Sequence, residues 1–382
     1  MSTALDATYA PWPESEPPGL VPGPDQADLR AALRAVLARH GKTGDGAFGS
    51  PLWRALVDDM SVTTLSVPDH RGGLGYGLTD AAVVLEECGR ALVSEPVLMG
   101  AVVGVQALLA APEGAADPLL ADAMNGDSLV VVHLPARSTG STSSGSGDVT
   151  AEFDGTGWVL RGTARDVVHG AEANIVIVAA QTAEGRRLFA VPVQGAVRAA
   201  RRVVDPTRPR ADVHLDSATS VPITDVADTD SVLADLAARA TIGRASEHTG
   251  IADRMLEMTI EYVRTRHQFG RPVGSFQAVK HRLADLLLSL ERARSASRHA
   301  AALYDSDPDH AAVAVAVAGA VCTEVVTESV AEAVQLHGGV GFTWEHPAHR
   351  YFRRAMGDEA LFGDPEHHRR DLARLVGLNS VR

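Results

Sequence analysis

Side chains that could hold a phosphate group are concentrated at residues 262–286, YVRTRHQFGRPVGSFQAVKHRLADL. The pattern predicts that one helix ends at Phe269 and Gly270 and that another begins near Ser275. Guanidinium groups and amide donors at such a helix junction suit a phosphate, although arginines at any solvated helix end give the same pattern. The candidate residues at this bend are Arg264, Arg266, Gln268, Arg271 and Gln277.

A second candidate segment covers residues 333–355, AVQLHGGVGFTWEHPAHRYFRRA. Its pattern predicts a helix that carries Gln335 and ends at Gly338 and Gly339, where a ligand could approach the backbone closely. A glycine directly after a helix is also the ordinary C-cap, so this pair alone does not establish a ligand site.

Composition argues against several other classes of function. The chain has 382 residues, 45% of them apolar, and a formal net charge of −13, which disfavours binding to nucleic acid. The 15 histidines are scattered, only two cysteines occur, and HExxH and CxxC are missing, so we expect no bound metal. The N-terminus lacks a basic start and an apolar h-region, and no apolar run reaches the ~18 residues of a membrane span, which predicts a cytoplasmic protein.

Patterning along the chain predicts three regions after a proline-rich arm at residues 1–25. Apolar positions that recur every three or four residues predict an α-helical domain over residues 26–127. Short β-branched runs predict a β domain over residues 128–229, with a Ser/Gly loop, STGSTSSGSGD, near its start. Helical patterning returns over residues 230–382, where one stretch is apolar nearly all round and should be buried between other helices.

These segments resemble the acyl-CoA dehydrogenase family over nearly the whole chain. RTRHQFGRPVGSFQAVKHRLAD and QLHGGVGFTWEHP are near-verbatim family sequences, and LSVPDHRGGLGYGLTDAAVVLEECGRAL resembles the N-terminal family signature. FDGTGWVLRGTARDVVHGAEANIVIVAA resembles the family's β domain. The resemblance implies an α+β fold, in which an N-terminal helical domain and a β-barrel-like domain precede a C-terminal four-helix domain.

The resemblance also implies FAD as cofactor, an acyl-CoA substrate, a dimer or dimer of dimers, and electron transfer to an electron-transfer flavoprotein. In the family, FAD lies across a subunit interface, and residues matching Arg266, Gln268 and Phe269 clamp the pyrophosphate of the neighbouring subunit's FAD. The positions that face the phosphate and adenosine portions are matched here by Gln277, Gln335, Gly338 and Gly339.

The family reaction needs a carboxylate base that removes the substrate's α-proton in a dry pocket. The usual glutamate, in an IYEGT-like motif, corresponds to Gly363 in LFGDP, and a base that some members carry on an earlier helix corresponds to Ala240. Glu247 lies seven residues further on nearly the same helix face, so it is the best candidate base in this chain. An ordinary ion pair with Arg244 or Arg254 would explain Glu247 equally well.

Further departures from the family fall on the side of the flavin ring and the substrate. His133 stands where the family usually has the Thr of a TEP motif, and the loop after it has become the Ser/Gly stretch. Asp166 and Val168 replace a common Trp and Thr, and Thr241 replaces an Arg that helps to hold CoA. The chain thus keeps the residues that clamp the phosphates of a neighbouring subunit's FAD. It departs from the family at the positions that would contact the flavin ring and the substrate in its own site.

This distribution favours a subunit that resembles the chain lacking the usual glutamate in bacterial heteromeric (α2β2) acyl-CoA dehydrogenases of steroid catabolism. Three alternatives remain open. They are a self-sufficient homo-oligomeric dehydrogenase that uses Glu247, a flavin monooxygenase on the same fold, and a scaffold or acyl-CoA-binding relative without activity.

Overall fold

The computed structural model describes residues 21–40, 47–134 and 149–378, which form two helical regions with a sheet between them. This order confirms the α+β fold class that the sequence predicts. The Ser/Gly loop and most of the proline-rich arm lie outside these residues, and the first helix, α1, already begins at Pro24.

The N-terminal region consists of helices whose apolar faces share one core. They are α1 (Pro24–His40), α2 (Pro51–Asp58), α3 (Leu78–Ala91), α4 (Val105–Leu109) and α5 (Asp117–Met124), with a π-helical segment (Val97–Gly104) before α4. Helix α2 begins where it does because Ser50 Oγ accepts the Trp53 N–H at 3.0 Å and Pro51 occupies the first turn. The Trp53 ring is buried and donates its N–H to the Gly126 carbonyl oxygen at 3.1 Å.

Within the described residues, seven strands form a sheet that closes on itself. They are β1 (Val130–Val132), β2 (Val149–Phe153), β3 (Trp158–Val168), β4 (Ile175–Gln181), β5 (Arg186–Pro192), β6 (Val197–Ala200) and β7 (Arg210–Pro222). Their order is β1-β4-β2-β3-β7-β5, and β4 also pairs with β5, while β6 pairs with β7. Alternate residues point inward, so Val176, Phe189 and Val213 are fully buried in one apolar core.

The C-terminal region is built from long helices. They are α6 (Thr229–Thr265), α7 (Gln277–Ser306), α8 (Ala312–His337), α9 (Ala348–Phe362) and α10 (Pro365–Leu375), and the two-residue strands β8 (His267–Gln268) and β9 (Arg271–Pro272) connect α6 to α7. Helix α8 contacts α6, α7, α9 and α10, so the stretch that is apolar all round is buried as predicted. The helical stretch Ala312–Phe342 is long and apolar enough to cross a membrane, but 72% of its apolar window is buried within the protein, as in a core helix.

Candidate cofactor site

The first candidate segment forms a tight hairpin after α6. Strands β8 and β9 pair so that Phe269 and Gly270 make a two-residue turn, and their φ angles of 53° and 77° fit a type I′ turn. Gln268 Nε2 donates to the His267 carbonyl oxygen at 2.8 Å, which holds this side chain along the hairpin. Left-handed backbone is unfavourable for phenylalanine, and conformations of this kind are concentrated at binding sites.

Aromatic stacking holds this hairpin close to the second candidate segment. The Tyr262 ring, near the end of α6, lies 4.6 Å from the His337 ring, centroid to centroid, in a stacked arrangement. His337 is the last residue of α8 and directly precedes Gly338. Arg282 of α7 also donates to Glu332 of α8 at 3.2 Å. The structure therefore brings the two candidate segments together at one end of the helical region.

The candidate residues present polar groups on an open surface. The exposed Arg266 guanidinium forms no hydrogen bond or ion pair with any side chain in the described parts of the chain. Gln277 and Gln335 are exposed as well. A Cβ added at Gly338 or Gly339 would meet no atom within 4 Å, so the chain's own packing does not fill the space beside them. These features fit a dinucleotide that approaches from outside the chain.

Large apolar side chains surround this surface and are also exposed. Phe269 is 91% exposed, Phe342 87% and Trp344 79%, and Leu288 on α7 is 70% exposed. Clustered exposed aromatic residues are typical of protein–protein interfaces. The surface therefore resembles a protein–protein interface in its composition.

A separate cleft of about 170 Å³ lies between the sheet and α6. Four of the positions at which the sequence departs from the family, Asp166, Val168, Ala240 and Thr241, line this cleft. The rest of its wall is apolar and includes Met99, Leu134 and Phe362. The volume is below the roughly 300–1,000 Å³ of ordinary small-molecule sites. The departures thus converge on one small cavity, in which Asp166 and Thr241 are the polar side chains.

Asp166 gives this cleft a carboxylate where the family has an aromatic ring. Its φ is 63°, at an irregularity in the pairing of β3 with β7, and its backbone N–H donates to Asp212 Oδ1 at 2.8 Å. Arg210 donates to Asp166 Oδ2 at 2.9 Å, and Arg201 Nε lies 3.6 Å from Oδ1. An ion-paired carboxylate does not offer the flat apolar face on which a flavin ring stacks.

Gly363 ends α9 in a conformation that excludes a side chain. Its φ is 102°, and an added Cβ would lie 2.8 Å from the His367 ring. The next residue, Asp364, caps α10 by accepting the His367 N–H at 2.6 Å, and Pro365 follows it in the first turn of that helix. A carboxylate base at position 363 would require a different turn.

Gly363→Ala is therefore expected to lower the free energy of unfolding by about 1–3 kcal/mol, since alanine strains the left-handed backbone and contacts His367. The measurement is the urea midpoint of the purified chain. Gly157→Ala is the control, because that position has open space and no positive φ, and its effect should stay within about 0.5 kcal/mol. Equal midpoints for both variants would show that the turn at Gly363 relaxes freely.

Glu247 lies in a buried network of charged side chains behind the cleft. Arg208, in the loop before β7, donates to Glu247 through one terminal nitrogen and to Asp358 Oδ1 at 2.6 Å through the other. Asp358 Oδ2 lies 3.3 Å from His248 Nε2. All four side chains are buried. Sequence reasoning missed Arg208 and Asp358, because no local pattern connects residues from three separate elements.

This network directs the Glu247 carboxylate to Arg208 rather than into the cleft, and Glu247 does not line that cleft. Phe362 lies between them, with the Arg208 guanidinium carbon 5.8 Å from its ring centroid. Glu247 thus forms an ion pair, as the alternative interpretation of this residue predicted. The predicted partners, Arg244 or Arg254, were wrong, because the partner is Arg208. The base role of Glu247 stays a prediction that this geometry does not support.

Comparisons with known proteins were made against family models and curated sequences. Residues 232–377 match the model described as acyl-CoA dehydrogenase, C-terminal domain. The chain is 32% identical over 355 residues to acyl-CoA dehydrogenase IpdE2 of Mycobacterium tuberculosis, a match that covers 91% of this chain and 95% of the relative. It is 36% identical over 352 residues to IpdE2 of Mycolicibacterium smegmatis, covering 90% and 96%.

Solved structures give the same result. A chain of the ChsE4–ChsE5 complex from Mycobacterium tuberculosis superposes with a TM-score of 0.82 at 28% identity, covering 94% of this chain and 98% of that chain. Glutaryl-coenzyme A dehydrogenase with glutaryl-CoA shares the fold, with a TM-score of 0.85 at 20% identity over 94% and 96% of the two chains. The chain belongs to the acyl-CoA dehydrogenase family, whose members are FAD-dependent oxidoreductases that act on acyl-CoA.

Proposed function

We propose that this chain is one subunit of a heteromeric acyl-CoA dehydrogenase and supplies the pyrophosphate and adenosine half of an FAD site to a partner subunit. The proposal rests on a contrast between two parts of the chain. The residues around Arg266 form an exposed clamp, whereas the two positions at which family members carry the base are Ala240 and Gly363, which have no carboxylate. Two relatives support it, since both IpdE2 proteins are named acyl-CoA dehydrogenases. A solved structure that contains both ChsE4 and ChsE5 supports the assembly from unlike chains.

In the proposed complex, Arg266 binds pyrophosphate oxygens through its guanidinium fork, and Gln277 and Gln335 donate amide hydrogens to the same dinucleotide. The backbone at Gly338 and Gly339 lets the cofactor approach without a side chain in the way. Bound FAD would supply the acceptor for the hydride that leaves the substrate's β-carbon. The partner would supply the base for the α-proton and the donors for the thioester carbonyl. In this chain's cleft the Asp166 carboxylate is paired with Arg210, and the Thr241 hydroxyl donates to a backbone carbonyl oxygen of its own helix.

Purification of the chain alone and with its partner tests the proposal. The partner is a second acyl-CoA dehydrogenase chain that keeps the glutamate of the IYEGT-like motif. We expect the lone chain to hold little FAD and to show no turnover, and the complex to hold one FAD for each pair of unlike chains. Flavin absorbance gives the stoichiometry, and bleaching by a steroid-derived acyl-CoA gives the activity. A lone chain with full FAD occupancy and turnover would contradict the proposal.

Glu247→Gln separates this proposal from the self-sufficient dehydrogenase. Glutamine keeps an oxygen that can accept from Arg208, so the variant should fold, and we expect turnover of the complex to stay within about threefold of wild type. The measurement is kcat with FAD content recorded in the same samples. Abolished turnover with FAD still bound would establish Glu247 as the base and reject the role that we propose for the partner.

We further propose that the complex passes its electrons to an electron-transfer flavoprotein in the bacterial cytoplasm. Both cysteines, Cys88 and Cys322, are buried free thiols, which fits a reducing compartment. Reduction of a purified electron-transfer flavoprotein by the substrate-reduced complex is the test, and a complex that reduces only molecular oxygen would contradict this acceptor.

A further inference from the structure

We propose that His337 is a positioning residue of the FAD clamp: its ring joins the hairpin to the glycine turn and holds their relative position. The clamp consists of the hairpin residues Arg266, Gln268 and Phe269 together with the turn at Gly338. This inference rests on the proposed function, because it concerns the same clamp.

The His337 ring lies between two other rings, stacked on one and tilted against the other. It lies 4.6 Å from the Tyr262 ring on one side and 4.3 Å from the His346 ring on the other, centroid to centroid. Tyr262 is four residues before Arg266, and His337 is adjacent to Gly338. His337 is also 2% exposed, so the stack is part of the protein interior. A shift of this ring would therefore move both halves of the clamp.

Packing alone does not account for a histidine here. Nδ1 of His337 lies 2.6 Å from the Ala333 carbonyl oxygen, and because a carbonyl only accepts, Nδ1 carries the proton. Nε2 is buried and has no hydrogen-bond partner among the described residues, which is an unfavourable state for a polar atom. A phenylalanine would stack equally well without that cost. What the imidazole adds is the hydrogen bond to Ala333, which fixes the plane of the ring at the end of α8.

Neither the His337 nor the His346 ring forms an ion pair or hydrogen bond with an acidic side chain among the described residues. Tyr262 faces it from α6, and His349 of α9 donates through Nδ1 to the His346 carbonyl oxygen at 2.7 Å. Nδ1 of His346 accepts the Ala348 N–H at 3.3 Å. The nearby charged groups have other partners, since Arg353 lies over Trp344 and Glu332 is paired with Arg282.

The His346 ring, which contacts His337, predicts how the stability of the clamp depends on pH. Burial, and then the neighbouring His337 and His349, lower its pKa below the ordinary value of 6.5. The folded clamp thus disfavours the protonated ring. Its stability is complete above pH 6.5 and declines as the pH falls below that value. FAD should accordingly be held more weakly at acidic pH.

The dissociation constant of FAD is to be measured in the full complex at pH 7.5 and at pH 5.5, by flavin fluorescence. Wild type should bind FAD more weakly at the lower pH. His337→Phe should keep the affinity at pH 7.5 and show a smaller pH dependence, whereas His337→Ala should bind weakly at both. His70→Ala, at an exposed position far along the chain, is the control and should behave as wild type. Wild-type affinities for His337→Ala, or an unchanged pH profile for His337→Phe, would overturn the inference.

Hydrogen exchange distinguishes failure of this inference from failure of the proposed function. A wild-type complex that holds no FAD contradicts the proposed function, and the inference is then decided on the lone chain. His337→Ala should speed amide exchange both at residues 262–272 and at residues 338–346, while His337→Phe and His70→Ala should not. Unchanged exchange in both segments of His337→Ala would overturn the positioning role, whatever the flavin content.

Discussion

Replacing Arg208 with alanine is expected to lower the free energy of unfolding by about 3–5 kcal/mol, because it leaves two buried carboxylates without their cation. Arg208 is 6% exposed, and the carboxylates that it contacts, on Glu247 and Asp358, are 4% and 1% exposed. Water cannot replace the lost partner at such burial. Urea unfolding of the purified chain, followed by circular dichroism, measures the effect.

The matched control is Arg369→Ala, which removes an arginine from an exposed pair. Arg369 contacts Glu324, and both side chains are about half exposed, so its loss should cost less than about 1 kcal/mol. Similar small losses for the two variants would mean that the buried network is not held by its charges.

The same network predicts an acid-labile contribution to stability. Burial alone would raise the pKa of Asp358, but the charge of Arg208 and the hydrogen bond from His248 lower that pKa below its ordinary value of 3.8. The unfolded chain therefore takes up this proton more readily than the folded one, so the contribution is complete above pH 3.8 and is lost as the pH falls further. Arg208→Ala should weaken this part of the acid-unfolding profile.

Local signals in the sequence predicted much of the architecture. The all-round apolar pattern of α8 indicated a buried helix, and Asp364 with Pro365 marked the start of α10, because caps and periodicity act over a few residues. The two clamp segments were also visible as arginine, glutamine and glycine patterns. The patterns did not show that the two segments lie side by side, because that arrangement depends on the stacking of Tyr262 on His337.

Contacts between distant residues explain what the sequence could not predict. Thr79 and Asp80 are of residue types that often cap helices, but α3 begins at Leu78 with Gly77 as its N-cap. The reason is Asp305, which accepts the Leu78 N–H at 2.7 Å from 227 residues away. The contact between Arg208 and Glu247 in the buried network is a second example, because these residues are 39 positions apart in the sequence. The side chain that satisfies a polar group is then unknown until the fold brings it near.

Arg266→Ala, made in the complex with the partner chain, is expected to weaken FAD binding at least about 100-fold. A guanidinium fork on pyrophosphate makes two charge-assisted hydrogen bonds, each worth about 1.5–3 kcal/mol, and alanine removes both. Titration of the FAD-free complex with FAD measures the change. Because the Arg266 side chain makes no contact of this kind within the described residues, the stability of the lone chain should not change.

Arg264→Ala distinguishes the specific role of Arg266 from a general effect of positive charge. Arg264 is exposed at the end of the same helix, and its loss removes an equal charge, yet it lies two residues away and points to a different side. Its effect on FAD affinity should stay within about threefold and should shrink with added salt, as expected for a screened charge. Equal losses for the two variants would mean that the surface attracts FAD only through net charge. In that case Arg266 would not be a clamp, and the half-site would lose its geometric basis.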